Sequence, residues 1–286
     1  MPYLLLPAIF LLVVVVLLTA VHTGFRAPRR RERTTPARLG LNYEALSIET
    51  RGGKRLHAWW LPAQKPSRRS ILLLHGWGGN SEFMLPLAVP LHRAGFNALL
   101  LDARNHGRSD SAGYSSMPRF AEDAGAAIDW LRSQRPDQAG GIALLGHSVG
   151  AAAVLLEASR RNDIDAVISI AAFAHPEWMM RRYLARLHLP RWLLAVVLRY
   201  VEWVIGHRYD DIAPLNTVCR IRCPLLLVHG TADHTVPVSD ALAIRDHCRH
   251  ERLQLYLVEG ADHESVDAVE AHADRLIGFL DDTLPP

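Results

Sequence analysis

The pentapeptide Gly146-His147-Ser148-Val149-Gly150 holds a serine between two glycines. It fits G-x-S-x-G, the pattern of a strand-to-helix turn so tight that the residues flanking the nucleophile must be small. The chemistry this offers is nucleophilic attack on an acyl carbon. A pattern this short also arises by chance, and an ordinary glycine-rich turn has the same text. A serine hydroxyl is a weak nucleophile at neutral pH, so the catalytic reading requires a base and a group that orients it.

The expected order of those partners is serine, acid, histidine, each on a loop after a later strand. The run Pro224-Leu-Leu-Leu-Val-His229 reads as a strand that ends in Gly230-Thr231-Ala232-Asp233, and Leu253 to Val258 reads as the next one, ending in Glu259-Gly260-Ala261-Asp262-His263. Asp233 is the candidate acid and His263 the candidate base. His263 would take the serine proton and return it to the leaving group, while Asp233 holds the imidazole tautomer. The chain has fifteen histidines, and His234 is the nearest competitor as base; position after the last strand favours His263. Asp262 and Glu259 compete as the acid, but they share a loop with the histidine and would have to fold back. His147 adjoins the serine and is read as pointing away from it, with no proton-transfer role.

Acyl transfer also needs donors for a developing oxyanion, each typically worth about 3 kcal/mol or more in barrier lowering. The strand Ile71 to Leu74 runs into His75-Gly76-Trp77-Gly78-Gly79-Asn80, where glycines let backbone come close to a substrate oxygen. The backbone N–H groups of Trp77 and Val149 are the candidate donors, the second lying at a helix start whose dipole favours negative charge. A plain strand-to-helix turn is the competing reading of the Trp77 loop.

These residues need a scaffold that carries them to one edge. Leu46 to Thr50 and Arg55 to Leu61 flank Arg51-Gly52-Gly53-Lys54 and read as an antiparallel hairpin. Beyond it, short apolar runs at 71–74, 98–101, 142–145, 166–170, 225–228 and 253–258 alternate with segments of helical spacing at 82–94, 119–135, 149–160, 239–250 and 266–280. The expected fold class is α/β, a mostly parallel sheet behind an antiparallel N-terminal hairpin, with helices on both faces. Residues 173–218 break the alternation with Trp178, Met179, Met180, Tyr183, Trp192, Tyr200 and Trp203 among many arginines. They leave the sheet at the edge where open α/β sheets bind ligands, so they are expected to form a helical cap over the site. Extra helical packing with snorkelling arginines is the alternative.

The first 25 residues are organised differently. Pro2 to Phe25 lacks any Asp, Glu, Lys or Arg and is followed by Arg26-Ala-Pro-Arg29-Arg30-Arg31-Glu32-Arg33. A bilayer takes about 20 apolar residues, so residues 1–25 are expected to be a transmembrane anchor, 26–42 a basic juxtamembrane linker and 43–286 the globular domain. A cleaved signal peptide competes, but it wants basic residues before the apolar block. Arginines on the C-terminal flank favour a cytoplasmic domain with the N-terminus outside. The net charge of the whole chain is small at +3, and no element interleaves arginines with aromatics, which argues against a nucleic-acid partner. Cys219, Cys223 and Cys248 are an odd set without zinc spacing; all are read as structural, packing as small hydrophobes.

With these motifs in place, and with Asp102-Ala103-Arg104-Asn105-His106-Gly107-Arg108-Ser109 beside them, the sequence from about Tyr43 to Leu280 resembles the α/β-hydrolase superfamily. It is similar in detail to the branch that includes bacterial serine hydrolases, monoacylglycerol-lipase-like enzymes and serine aminopeptidases. The resemblance implies a Ser148-Asp233-His263 triad, no cofactor and a structural role for the Asp102 to Ser109 loop. It disfavours dehalogenase or epoxide-hydrolase chemistry, whose enzymes carry an aspartate at the elbow. The leading expectation is a membrane-anchored serine hydrolase of carboxylic esters, with lipids or other small acyl esters as substrates. A peptidase or aminopeptidase of the same fold is the enzymatic alternative, and a silent membrane-tethered binding module the third, disfavoured because binding needs none of the three residues.

Overall fold

The computed structural model describes residues 2–247 and 251–285. Eight strands form one sheet: β1 (Glu44–Thr50), β2 (Lys54–Leu61), β3 (Arg69–Leu74), β4 (Asn97–Leu101), β5 (Gly141–His147), β6 (Ala166–Ile170), β7 (Leu225–Gly230) and β8 (Leu253–Val258). Their order across the sheet is β1-β2-β4-β3-β5-β6-β7-β8. β1 and β2 pair antiparallel, as does β2 with β4, and every later pairing is parallel. The hairpin, the parallel series and the helices on both faces are the expected fold class.

Continuous apolar runs explain why the sheet is covered twice. On β3, Leu72 and Leu74 face one core with Leu144 and Phe120, while Ile71 and Leu73 face another with Leu145 and Phe279. A strand apolar on both faces needs a helix layer on each side. The first layer comprises α3 (Met117–Gln134), α4 (Val149–Ala158) and α9 (Val238–His247); the second comprises α2 (Leu85–Arg93), α10 (Val266–Glu270) and α11 (Ala273–Thr283).

Three local expectations change. The helical segment 82–94 begins as a 3-10 turn, Ser81–Met84, capped by the Asn80 side chain accepting from the Phe83 N–H, before α2 starts. The segment 266–280 is two helices, because the His272 N–H bonds to the Val269 carbonyl at 3.0 Å and tightens the end of α10 into a 3-10 turn. Of the cysteines, Cys223 is buried in the first core, but Cys219 is exposed on a 3-10 turn at the surface, so it does not pack as a hydrophobe. Cys248 and the end of the helix expected over 239–250 lie outside the described residues.

Residues after β6 form α5 (Pro176–Ala185), α6 (Arg191–Ile205) and two single turns, α7 (Tyr209–Ile212) and α8 (Pro214–Thr217). Leu184, Val197, Leu198, Val201 and Tyr209 make a small separate core there. Asp240 of α9 ties these helices to the body: it accepts from the Ala174 N–H at 2.9 Å and pairs with Arg182. The N-terminal helix α1 (Pro2–Gly24) has an unburied apolar stretch, Pro7–Gly24, yet Leu17 and Val21 lean on the small core and Phe10 lies 5.7 Å from Trp192.

Candidate active site

β5 ends at His147 and α4 starts at Val149, so Ser148 alone makes the turn. Its φ of 54° is the left-handed region, costly for a residue with a Cβ and frequent at functional sites. A Cβ on Gly146 would lie 2.3 Å from the Gly150 carbonyl oxygen, and one on Gly150 would lie 2.4 Å from the carbonyl oxygens of Leu74 and His75. The two glycines are therefore what lets strand, turn and helix meet. The Ser148 N–H donates to the Ile170 carbonyl at 2.9 Å, which fixes the turn against β6.

The loops after β7 and β8 bring the other two candidates to this turn. His263 Nε2 is 2.9 Å from Ser148 Oγ, and His263 Nδ1 is 2.7 Å from Asp233 Oδ2. The other Asp233 oxygen accepts from the N–H groups of Thr235 (2.9 Å) and Val236 (2.7 Å). Burial by itself would raise the Asp233 carboxyl, but the hydrogen bonds from His263 and Val236 outweigh it and hold the group below the usual carboxylate range. An ionised Asp233 accepts from Nδ1–H, leaving Nε2 free to accept the serine proton. His234, Asp262 and Glu259 are exposed, and Asp262 is engaged with Ser265 and Glu264.

His147 differs from the sequence expectation in one respect. Its ring lies 5.2 Å from that of His263, and its Nε2 is 2.9 Å from the His263 carbonyl oxygen. A carbonyl only accepts, so Nε2 carries the proton and the side chain props the loop that holds His263. Burial pushes its pKa down to about 4, so it stays neutral. A histidine next to the elbow was visible in the sequence; its partner lies more than a hundred residues away and left no local signal.

The Trp77 loop adjoins the serine: a Cβ on Gly76 would lie 3.1 Å from the Ser148 Cβ. His75 holds this loop. Its Nε2 accepts from the Ala103 N–H at 3.1 Å, so Nδ1 bears the hydrogen and donates to the Gly76 carbonyl at 2.7 Å. Burial lowers the His75 pKa to about 4, which keeps this neutral tautomer. The Asp102 to Ser109 loop anchors the next turn, with Asp102 Oδ1 accepting from the Ser81 N–H and hydroxyl, both at 2.7 Å. Ser148, Asp233, His263 and the Trp77 and Val149 backbones thus gather at one edge of the sheet, the C-terminal ends of β3, β5, β7 and β8.

Comparisons with known proteins agree with this architecture. Residues 65–215, over half of the chain, match the family described as serine aminopeptidase, S33. YfhR of Salmonella typhimurium is 25% identical over 292 residues, covering 96% of this chain and 94% of that protein. WAV2 of Arabidopsis thaliana, an alpha/beta hydrolase domain-containing protein, is 28% identical over 218 residues, 71% of this chain and 66% of its own. Among solved structures, the Pyrococcus furiosus esterase Pf2001 superposes with a TM-score of 0.73 at 24% identity, covering 91% of this chain and 100% of that one. Est1E from Butyrivibrio proteoclasticus, solved with ferulic acid bound, gives 0.64 at 21% identity over 82% and 98% of the respective chains. At these identities the structural likeness speaks for the fold. The family match, the eight-stranded sheet and the strand-turn-helix geometry at Ser148 lead to one conclusion: this chain belongs to the serine aminopeptidase S33 family and is a hydrolase of the α/β-hydrolase superfamily.

Proposed function

We propose that the protein is a membrane-anchored serine hydrolase of carboxylic esters, acting through an acyl-enzyme on Ser148. The observation that carries this reading is the unbroken chain of contacts from Ser148 Oγ to His263 to the ionised Asp233, at 2.9 and 2.7 Å. His263 removes the serine proton as Oγ attacks the acyl carbon, and returns it to the departing alcohol. Water, deprotonated by the same imidazole, then releases the acid and restores Ser148. The N–H groups of Trp77 and Val149 stabilise the oxyanion in both steps.

Apolar acyl groups suit the surroundings. Trp77 is 38% exposed on the loop that adjoins the serine, and Trp178, Tyr183, Trp192 and Trp203 are exposed on α5 and α6. Trp and Tyr concentrate at membrane–water boundaries, and α1 lies beside these helices. In this reading α1 is the anchor, residues 173–218 are the cap, and the domain sits on the cytoplasmic face. The esterase neighbours favour the ester over the amide.

The family's description favours an aminopeptidase as the second reading. A site that reads a substrate's ammonium needs a free carboxylate, and the cap's acids are largely engaged: Glu177 with Arg181, Glu202 with Arg199 and the Tyr209 N–H, and Asp210 with His175. Fluorophosphonate labelling of the full chain, lost in Ser148→Ala, tests the nucleophile. Hydrolysis of p-nitrophenyl acyl esters against aminoacyl anilides separates the two readings, and anilides cleaved faster would overturn the ester assignment.

A further inference from the structure

The basic segment after α1 crosses the molecule at the loop that carries Trp77. The Ser115 N–H donates to the Phe25 carbonyl at 2.8 Å. Pro28 covers Gly78, its Cγ lying 3.0 Å from where a Cβ on that glycine would stand. Arg29 donates to the carbonyls of Gly107 and Ser109 at 3.2 and 2.6 Å. Asn80 Nδ2 donates to the Arg30 carbonyl at 3.1 Å, and the Arg33 N–H donates to Glu82 at 2.7 Å. Asn80 caps, and Glu82 lies in, the 3-10 turn that follows the Trp77 loop.

Near the end of this segment Glu32 turns inward, its side chain without exposed surface. Oε2 accepts from Arg108 Nε at 2.9 Å, while Oε1 is buried with no donor. The group it meets is the Asp102 carboxylate, and one atom each of Glu32, His57 and Asp102 lie within 4.8 Å of one another. His57 Nε2 is likewise buried without a partner. Two carboxylates at this separation, with only Arg108 to offset them, cannot both keep their charge at low cost. With one proton between them the set Glu32, Asp102, Arg108 and neutral His57 carries no net charge; without it the set carries one negative charge. A divalent cation is the competing way to offset the charge, but Arg108 already occupies Glu32 Oε2 and Ser81 donates twice to Asp102 Oδ1, whereas Asp102 Oδ2 accepts the Arg108 N–H and keeps a second lone pair for a proton shared with Glu32.

We propose that Glu32 is a positioning residue for the oxyanion loop: sharing a proton with Asp102, it fastens residues 26–33 across the turn that presents the Trp77 N–H to Ser148. The inference rests on the hydrolase reading above. Asp102 is the joint, because it grips Ser81 in the loop and Glu32 in the segment at once. Burial first, then the Asp102 charge, raise the Glu32 carboxyl above its ordinary value. The docked segment therefore binds the proton more tightly than the free one, so docking is full at low pH and weakens as pH rises through the raised value.

The test uses the full chain in nanodiscs, with kcat and KM for a soluble acyl ester measured against pH. Glu32→Gln supplies a neutral donor of the same shape, and is expected to hold its kcat where wild type declines as pH rises through the raised Glu32 value. Glu32→Ala is expected to lower kcat about tenfold at low pH, where wild type is docked, with KM little changed and the gap closing as pH rises, as for a misplaced catalytic group. The proposal is overturned if Glu32→Gln falls as far as Glu32→Ala, if it keeps the wild-type decline with rising pH, or if EDTA removes activity and Mn²⁺ or Zn²⁺ restores it. Fluorophosphonate labelling separates the two failures. If wild type labels and Ser148→Ala does not, while the Glu32 variants behave as wild type, only the positioning role fails. If Ser148→Ala retains activity, the hydrolase mechanism itself fails.

Discussion

Ser148 occupies a backbone conformation that its neighbours impose, and its hydroxyl lies 2.9 Å from His263 Nε2. Asp233 then decides which nitrogen of His263 faces the serine. Asp233→Asn keeps the size but can donate to Nδ1, which favours the wrong tautomer. We expect kcat to fall about 10⁴-fold with little change in KM, read by steady-state hydrolysis of an acyl ester; a loss below tenfold would remove Asp233 from the mechanism. His147 acts one step further out, by propping the His263 backbone. His147→Phe should preserve the packing, lose the hydrogen bond and lower kcat by about tenfold, well short of the Asp233 effect.

At the scale of elements, the strand-to-helix turn tolerates no added atom. Gly150→Ala would set a Cβ 2.4 Å from two carbonyl oxygens, whereas Gly278 in α11 has nothing within 4 Å of the same atom. Gly150→Ala should therefore cost about 3 kcal/mol or more and lower Tm sharply. Gly278→Ala should be neutral or stabilise by up to about 1 kcal/mol, because glycine is the poorer helix former. Thermal unfolding of both variants checks the contrast, and equal shifts would contradict the backbone geometry. For α1, the proposed anchor, the full chain should sediment with membranes and resist alkaline carbonate, and deletion of residues 2–24 should release it. A soluble full chain would remove the membrane from the functional reading.

Across the whole molecule, the edge that carries the site is also where neutral histidines are buried. Burial pushes His75 and His147 down to about 4 and His106 down to about 3. Their folded pKa values lie below the ordinary 6.5, so the unfolded chain binds protons that the folded chain refuses. The stability these groups contribute is full above pH 6.5 and is lost as pH falls from there towards 4, at about 1 kcal/mol per pH unit for each group. Tm measured from pH 7.5 to 5 should therefore drop steeply below 6.5. A flat profile over that range would show that one or more of these rings accepts a proton without unfolding.

Much of this was legible along the chain because it depends on neighbours in sequence. Alternating apolar runs define strands buried on both faces, glycines two residues either side of Ser148 mark a turn that excludes side chains, and Asp233 and His263 each follow a strand. What the sequence could not settle alone is pairing at a distance. The order that inserts β4 between β2 and β3, the second prop that His147 gives His263, the break between α10 and α11, and the exposure of Cys219 arise from contacts between remote segments. Residues 26–33 make the difference plainest. As text they are a charged tail behind an apolar helix, and charge alone reads as solvated linker. Only the folded chain sets Glu32 against Asp102, seventy positions on, because the cost of burying one carboxyl is offset by groups that tertiary structure alone brings to it.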